Sequence, residues 1–154
     1  MTALQGHPAP DFTLPRDGGG EITLSALRGQ KVVLYFYPKD DTPGCTTEAL
    51  DFTARAADFA AAGAVVIGIS KDPVKKHDKF VKKHSLGIAL VSDETGTACE
   101  DFGTWVEKSM YGKTYMGIER STFLINADGK VAREWRKVSV ANHAQEVLEA
   151  AKAL

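Results

Sequence analysis

Lys31-Val-Val-Leu-Tyr-Phe-Tyr37 runs directly into Pro38-Lys-Asp-Asp-Thr42-Pro43-Gly44-Cys45. The first seven residues are rich in β-branched and aromatic side chains and lack polar alternation, which predicts a strand buried on both faces. Pro38 to Cys45 interrupts that pattern. Threonine is a good residue to stand just before a helix, and proline is favoured at the first helical position, so a helix is predicted from Pro43 to about Ala62. On its period Ala49, Phe52, Ala56, Phe59 and Ala60 share one face, while Asp51, Arg55 and Asp58 share another. Cys45 falls in the first turn on the apolar face, so its sulfur is expected to point into the domain.

Working outward, Ala64–Ile69 reads as a second buried strand, Pro73–His84 as a helix and Ile88–Val91 as a short strand. A helical turn is expected around Cys99. Arg120–Ile125 and Lys130–Trp135 flank Asn126-Ala-Asp-Gly129, a strong hairpin signal. Val140–Leu154 has Val140, Ala144, Val147, Leu148 and Ala151 on one side of a closing helix. Near the start, Asp11–Leu14 and Glu21–Leu24 flank Gly18-Gly19-Gly20 as an N-terminal hairpin. The triplet lacks the Gly-Lys-Ser/Thr of a phosphate loop. Strands alternating with helices, then a hairpin and a helix, predict an α/β fold with a mixed central sheet flanked by helices. Ligands of such sheets favour the carboxyl ends of strands, where Pro38–Cys45 lies.

Composition narrows the function. The 154 residues carry 19 Lys+Arg against 20 Asp+Glu, and 44% are hydrophobic. That length and balance fit one globular domain over residues 1–154 and give no electrostatic reason to expect nucleic acid or an anionic membrane as partner. No run approaches the roughly 20 apolar residues of a membrane span, and the N-terminus has no basic and apolar signal pattern. Only Cys45 and Cys99 are cysteines, which excludes a disulfide scaffold and suits a reducing cytoplasm. His7, His77, His84 and His143 form no close-spaced ligand pairs, so no metal is expected. His77 and His84 sit in a lysine-rich stretch and are expected to be solvated.

Position gives Cys45 two readings. In the first turn, free N–H groups and the helix dipole favour a thiolate, the nucleophilic form. Equally, most buried cysteines simply pack. Asp40 and Asp41 would disfavour a thiolate if their charges lay close, so a compensating cation is needed. The corresponding alternatives are an enzyme and a binding or chaperone module in which Cys45 is merely packed. A dithiol oxidoreductase would need Cys-x-x-Cys, and Glu48 occupies the second position.

Pro38-Lys-Asp-Asp-Thr42-Pro-Gly-Cys45 resembles the Pro-x-x-x-Thr-x-x-Cys signature of the peroxiredoxins, and Thr42-Pro-Gly-Cys-Thr46 resembles their PrxQ or bacterioferritin-comigratory subfamily. Ala9–Pro15, Val65–Ser70, Leu90–Glu94, Gly117–Ile125 and Ala127–Gly129 are similar to family segments in the same order. The resemblance implies a thioredoxin-like fold and a thiol peroxidase of hydrogen peroxide and organic hydroperoxides, without cofactor. It implies Cys45 as peroxidatic cysteine, Arg120 as the cation that favours the thiolate and binds peroxide, Thr42 as a peroxide-holding hydroxyl and Pro38 as a wall of the pocket. Glu48 is a lesser candidate for a supporting contact.

Relatives often carry a resolving cysteine five residues after the peroxidatic one, where this chain has Leu50, or in the following helix, where it has none. Cys99 remains as the internal alternative, with packing its expected role. The expected cycle is therefore of the 1-Cys type, finished by an external thiol such as thioredoxin, glutaredoxin or glutathione, in a monomer or weak homodimer. Lys71–His84 reads as a solvated face, and Trp105, Tyr111 and Tyr115 as residues that either border the pocket or pack in a glycine-bearing segment.

Overall fold

The structure is a computed structural model that describes residues 3–154. Five strands form the central sheet: β3 (Lys31–Phe36), β4 (Ala64–Ser70), β5 (Ala89–Ser92), β8 (Ser121–Ile125) and β9 (Val131–Trp135), in the order β5-β4-β3-β8-β9. β3, β4 and β5 are parallel, whereas β8 and β9 run antiparallel. This is the mixed sheet expected from strand–helix alternation followed by the Asn126–Gly129 hairpin. The N-terminal hairpin is also present, as β1 (Thr13–Pro15) and β2 (Glu21–Thr23).

β3 divides the core. Val33, Tyr35 and Tyr37 face one apolar cluster, and Val32, Leu34 and Phe36 face the other, because successive side chains alternate across a strand. On the first side lie α1 (Pro43–Ala54), α2 (Ala56–Ala61), α3 (Val74–His84) and α5 (His143–Ala153). They contribute Phe52, Phe59, Phe80 and Leu148. On the second side Phe12, Leu14 and the short α4 (Ala98–Asp101) close the sheet. Both faces of β3 are covered, as its composition requires. No helix among the described residues is long and apolar enough to cross a membrane.

Three elements depart from the sequence reading. The helix expected over Pro43–Ala62 breaks at Arg55. The Asp51 carbonyl, which would accept the Arg55 N–H in an uninterrupted helix, accepts Arg55 Nη1 instead, and that N–H turns to the Phe52 carbonyl. The kink keeps Phe59 buried while Ala56 is only half-buried and Ala60 is exposed. Second, β6 (Trp105–Met110) and β7 (Lys113–Ile118) form a hairpin that had read as a mere glycine-bearing segment. Its two-residue turn places Tyr111 and Gly112 at φ +53° and +78°, the left-handed pair that matches strand twist. Third, His77 is fully buried rather than solvated, and His84 is half-buried. The α3 lysines do face outward, but His77 lies on the apolar side with Phe80.

Candidate active site

The carboxyl end of β3 leads through Tyr37 and Pro38 into α1, and Cys45 sits in the first turn of that helix, almost wholly buried. The first helical hydrogen bond runs from the Thr46 N–H to the Thr42 carbonyl at 2.8 Å. The N–H groups of Gly44 and Cys45 therefore precede the ladder, where a helix start attracts negative charge. Thr42 is the N-cap by backbone position, but its hydroxyl makes no cap bond. It donates to the Lys39 carbonyl at 2.8 Å and closes the loop on itself.

Arg120, the residue that the family resemblance puts forward as the compensating cation, lies between β7 and β8, and its side chain reaches Cys45. Nη2 donates to Cys45 Sγ at 3.3 Å, and Nη1 donates to Glu48 Oε1 at 2.5 Å. A side chain on Gly44 would put Cβ 3.3 Å from Nη2, so glycine there keeps the guanidinium close. Burial works against the Arg120 charge, but Glu48 and Cys45 outweigh it and hold its pKa above the ordinary arginine value. Glu48, nearly inaccessible, is caught between opposing effects. Burial raises its pKa and Arg120 lowers it, with the net result pushed up to about 7.

The two loop aspartates are neutralised from α3, not left facing the thiol. Asp40 lies 2.7 Å from His77 Nδ1, and Asp41 accepts from Lys83 Nζ at 2.7 Å and pairs with His84 Nε2 at 2.8 Å. Hydrogen bonds from Lys83 and His84 hold the Asp41 carboxyl below its usual range. Asp41 itself adopts φ +59°, a strained conformation for a non-glycine residue.

Beside this cluster a groove of about 350 Å³ is lined by Pro38, Lys39, Trp105, Lys108 and Tyr115. Trp105 and Tyr115 line this groove with Pro38 from the β6–β7 hairpin, while Tyr111 stands almost fully exposed at the hairpin tip. Burial and the Arg120 charge lower the pKa of Lys108, a residue that sequence reasoning missed.

Cys99 lies elsewhere. It is fully buried on α4, in the cluster on the opposite side of the sheet from Cys45. Its N–H donates to Asp93 Oδ2, and burial together with Asp93 pushes its thiol pKa strongly up, the reverse of activation. Leu50 is exposed on α1.

Residues 5–134 match the model of the AhpC/TSA family. The chain belongs to that family. It is similar to peroxiredoxin Bcp of Bacillus subtilis, at 49% identity over 99% of this chain and 97% of that protein. Against peroxiredoxin Bcp of Xanthomonas campestris it is 52% identical over 95% and 92% of the two chains. A solved structure of the Xanthomonas campestris bacterioferritin comigratory protein superposes with a TM-score of 0.91 at 49% identity, covering 99% and 98% of the chains. The fold is thus the thioredoxin-like fold of the peroxiredoxins, and as a peroxiredoxin the protein is a thiol-dependent peroxidase.

Proposed function

We propose that Cys45 is the nucleophile of this peroxidase, with Arg120, Thr42 and Pro38 forming its peroxide site. The single observation that carries this reading is the contact of Arg120 Nη2 with Cys45 Sγ inside a nearly dry first helical turn. The Cys45 thiolate attacks one peroxide oxygen, the O–O bond breaks, and the departing alkoxide or hydroxide takes a proton to leave as alcohol or water. Sulfur is oxidised to the sulfenic acid and the peroxide is reduced. The second Arg120 arm, fixed by Glu48, keeps the guanidinium plane where charge shifts from sulfur to oxygen. The Thr42 hydroxyl spends its proton on the Lys39 carbonyl, so its lone pairs are left to accept from the peroxide O–H. Pro38 walls the approach and presents no N–H to water.

The Xanthomonas campestris relative is described by its alkyl peroxide reduction activity, and the apolar side chains of the groove suit an alkyl peroxide as well as hydrogen peroxide. Regeneration is proposed to follow a 1-Cys cycle. An external thiol attacks the sulfenic acid, water leaves, and a second thiol releases Cys45 as a disulfide forms between the two donors. The sheet between Cys45 and Cys99 and the inert environment of Cys99 support this reading. Thioredoxin, glutaredoxin and glutathione are the candidate reductants, in the cytoplasm, for a monomer or weak homodimer.

Cys45→Ser is expected to abolish dithiol-dependent peroxide consumption, and retained turnover would overturn the site. Mass spectrometry after one equivalent of peroxide is expected to show one added oxygen on Cys45. A loss of two hydrogens joining Cys45 to Cys99 would overturn the 1-Cys cycle.

A further inference from the structure

We propose that His77 and Asp40 are positioning residues: a buried clasp through which helix α3 fixes the peroxide-binding loop. This rests on the reading of Pro38, Thr42 and Cys45 given above. Asp40 stands midway between Pro38 and Thr42, two residues from each, and its side chain turns inward instead of toward solvent. Oδ1 accepts the Tyr37 hydroxyl at 2.5 Å, and Oδ2 lies 2.7 Å from His77 Nδ1. The backbone N–H of Asp40 donates to Asp72 Oδ2 at 2.7 Å, so its main chain is tied as well.

His77 has no access to solvent, and its other nitrogen, Nε2, lies 2.9 Å from the Val91 carbonyl. A carbonyl only accepts, so Nε2 carries a hydrogen and the tautomer is fixed. Nδ1 then faces the carboxylate, with one proton held between ring and acid. A loop with one strained residue, Asp41, therefore hangs from the sheet through Tyr37, from β5 through His77 and Val91, and from the β4–α3 junction through Asp72. Neither Asp40 nor His77 touches Cys45 or Arg120 in any hydrogen bond of the site. Their effect is on where Pro38 and Thr42 stand, which governs peroxide and not the thiolate. A misplacement of about 1 Å at such a site costs on the order of a hundredfold in rate.

The chemistry separates the clasp from general stability. Asp40→Asn preserves every bond: the amide N–H₂ donates to Nδ1 of neutral His77 and the amide oxygen accepts Tyr37. Asp40→Ala and His77→Gln each sever it. The test is the second-order rate of Cys45 with peroxide, compared with its alkylation by iodoacetamide, which needs the thiolate but not the peroxide pocket. Circular dichroism confirms folding of each variant. Expected is a fall of about tenfold or more in the peroxide rate for Asp40→Ala and His77→Gln, alkylation within about twofold of wild type, and recovery of most of the peroxide rate in Asp40→Asn. Where the severing variants do not fold, Tyr37→Phe removes one donor from Asp40 and is expected to lower the peroxide rate about threefold. Unchanged peroxide rates in folded severing variants or in Tyr37→Phe, or equal falls in both reactions, would overturn the clasp. A Cys45→Ser protein that still turned over would instead remove the catalytic reading beneath it.

Discussion

Arg120 Nη2 donates to Cys45 Sγ at 3.3 Å while the same guanidinium is pinned through Nη1 to a buried Glu48. A planar fork with two committed arms does what a point charge cannot, because it fixes direction as well as charge.

Arg120→Lys keeps the positive charge but has one ammonium for two partners 75 and 72 positions away in sequence. The peroxide rate is expected to fall on the order of a hundredfold, with alkylation of Cys45 falling much less. Stopped-flow reaction with hydrogen peroxide measures the first, iodoacetamide labelling the second. Near wild-type peroxide reactivity would mean that charge alone suffices.

Thr42→Ser retains the hydroxyl that closes the loop onto Lys39 and is expected to keep most activity. Thr42→Val keeps the shape but leaves the Lys39 carbonyl without its partner and the peroxide without an acceptor. A loss of roughly tenfold to a hundredfold in the peroxide rate is expected for valine. Equal rates in the two variants would remove Thr42 from the site.

Leu50→Cys installs a thiol five residues beyond Cys45 on the exposed side of α1. Cys45 faces the core, so the two sulfurs lie on different sides of the helix and bond only if its first turns unwind. One equivalent of peroxide is expected to yield an intramolecular disulfide with a loss of helical ellipticity. A stable sulfenic acid in that variant would show α1 too rigid to open.

The sequence disclosed what repeats locally. Lys31–Tyr37 announced a doubly covered strand, Pro43 a helix start, and the motif around Cys45 a family. What it left obscure lay in pairings between distant residues. The wider family resemblance points to Arg120, yet nothing local says that its second arm meets Glu48. His77 read as solvated because its neighbours are lysines, whereas one helical face turns it to Asp40, 37 positions earlier. The β6–β7 hairpin is hidden because its turn, Tyr111-Gly112, opens with a tyrosine where the two-residue turn signature has Asn or Asp. Arg55 broke a helix through its own side chain, an event invisible to periodicity.

Two buried groups titrate with opposite effect on stability. Burial depresses His143, which pairs with the Thr122 hydroxyl, to a pKa of about 4, from the ordinary 6.5. Between those values the unfolded chain binds more protons, so His143 makes stability rise with pH. Burial raises Glu48 from 4.5 to about 7. Between those values the folded chain binds more protons, so Glu48 makes stability fall as pH rises. The two windows overlap, so the two effects oppose each other in the wild type. Single variants separate them. Relative to wild type, His143→Gln is expected to gain stability as pH falls from 7 to 5, and Glu48→Gln to gain it as pH rises over the same range. Urea unfolding of the three proteins at pH 5, 6 and 7 measures both differences. Two flat differences, or two that slope the same way, would show that these groups do not titrate in opposition.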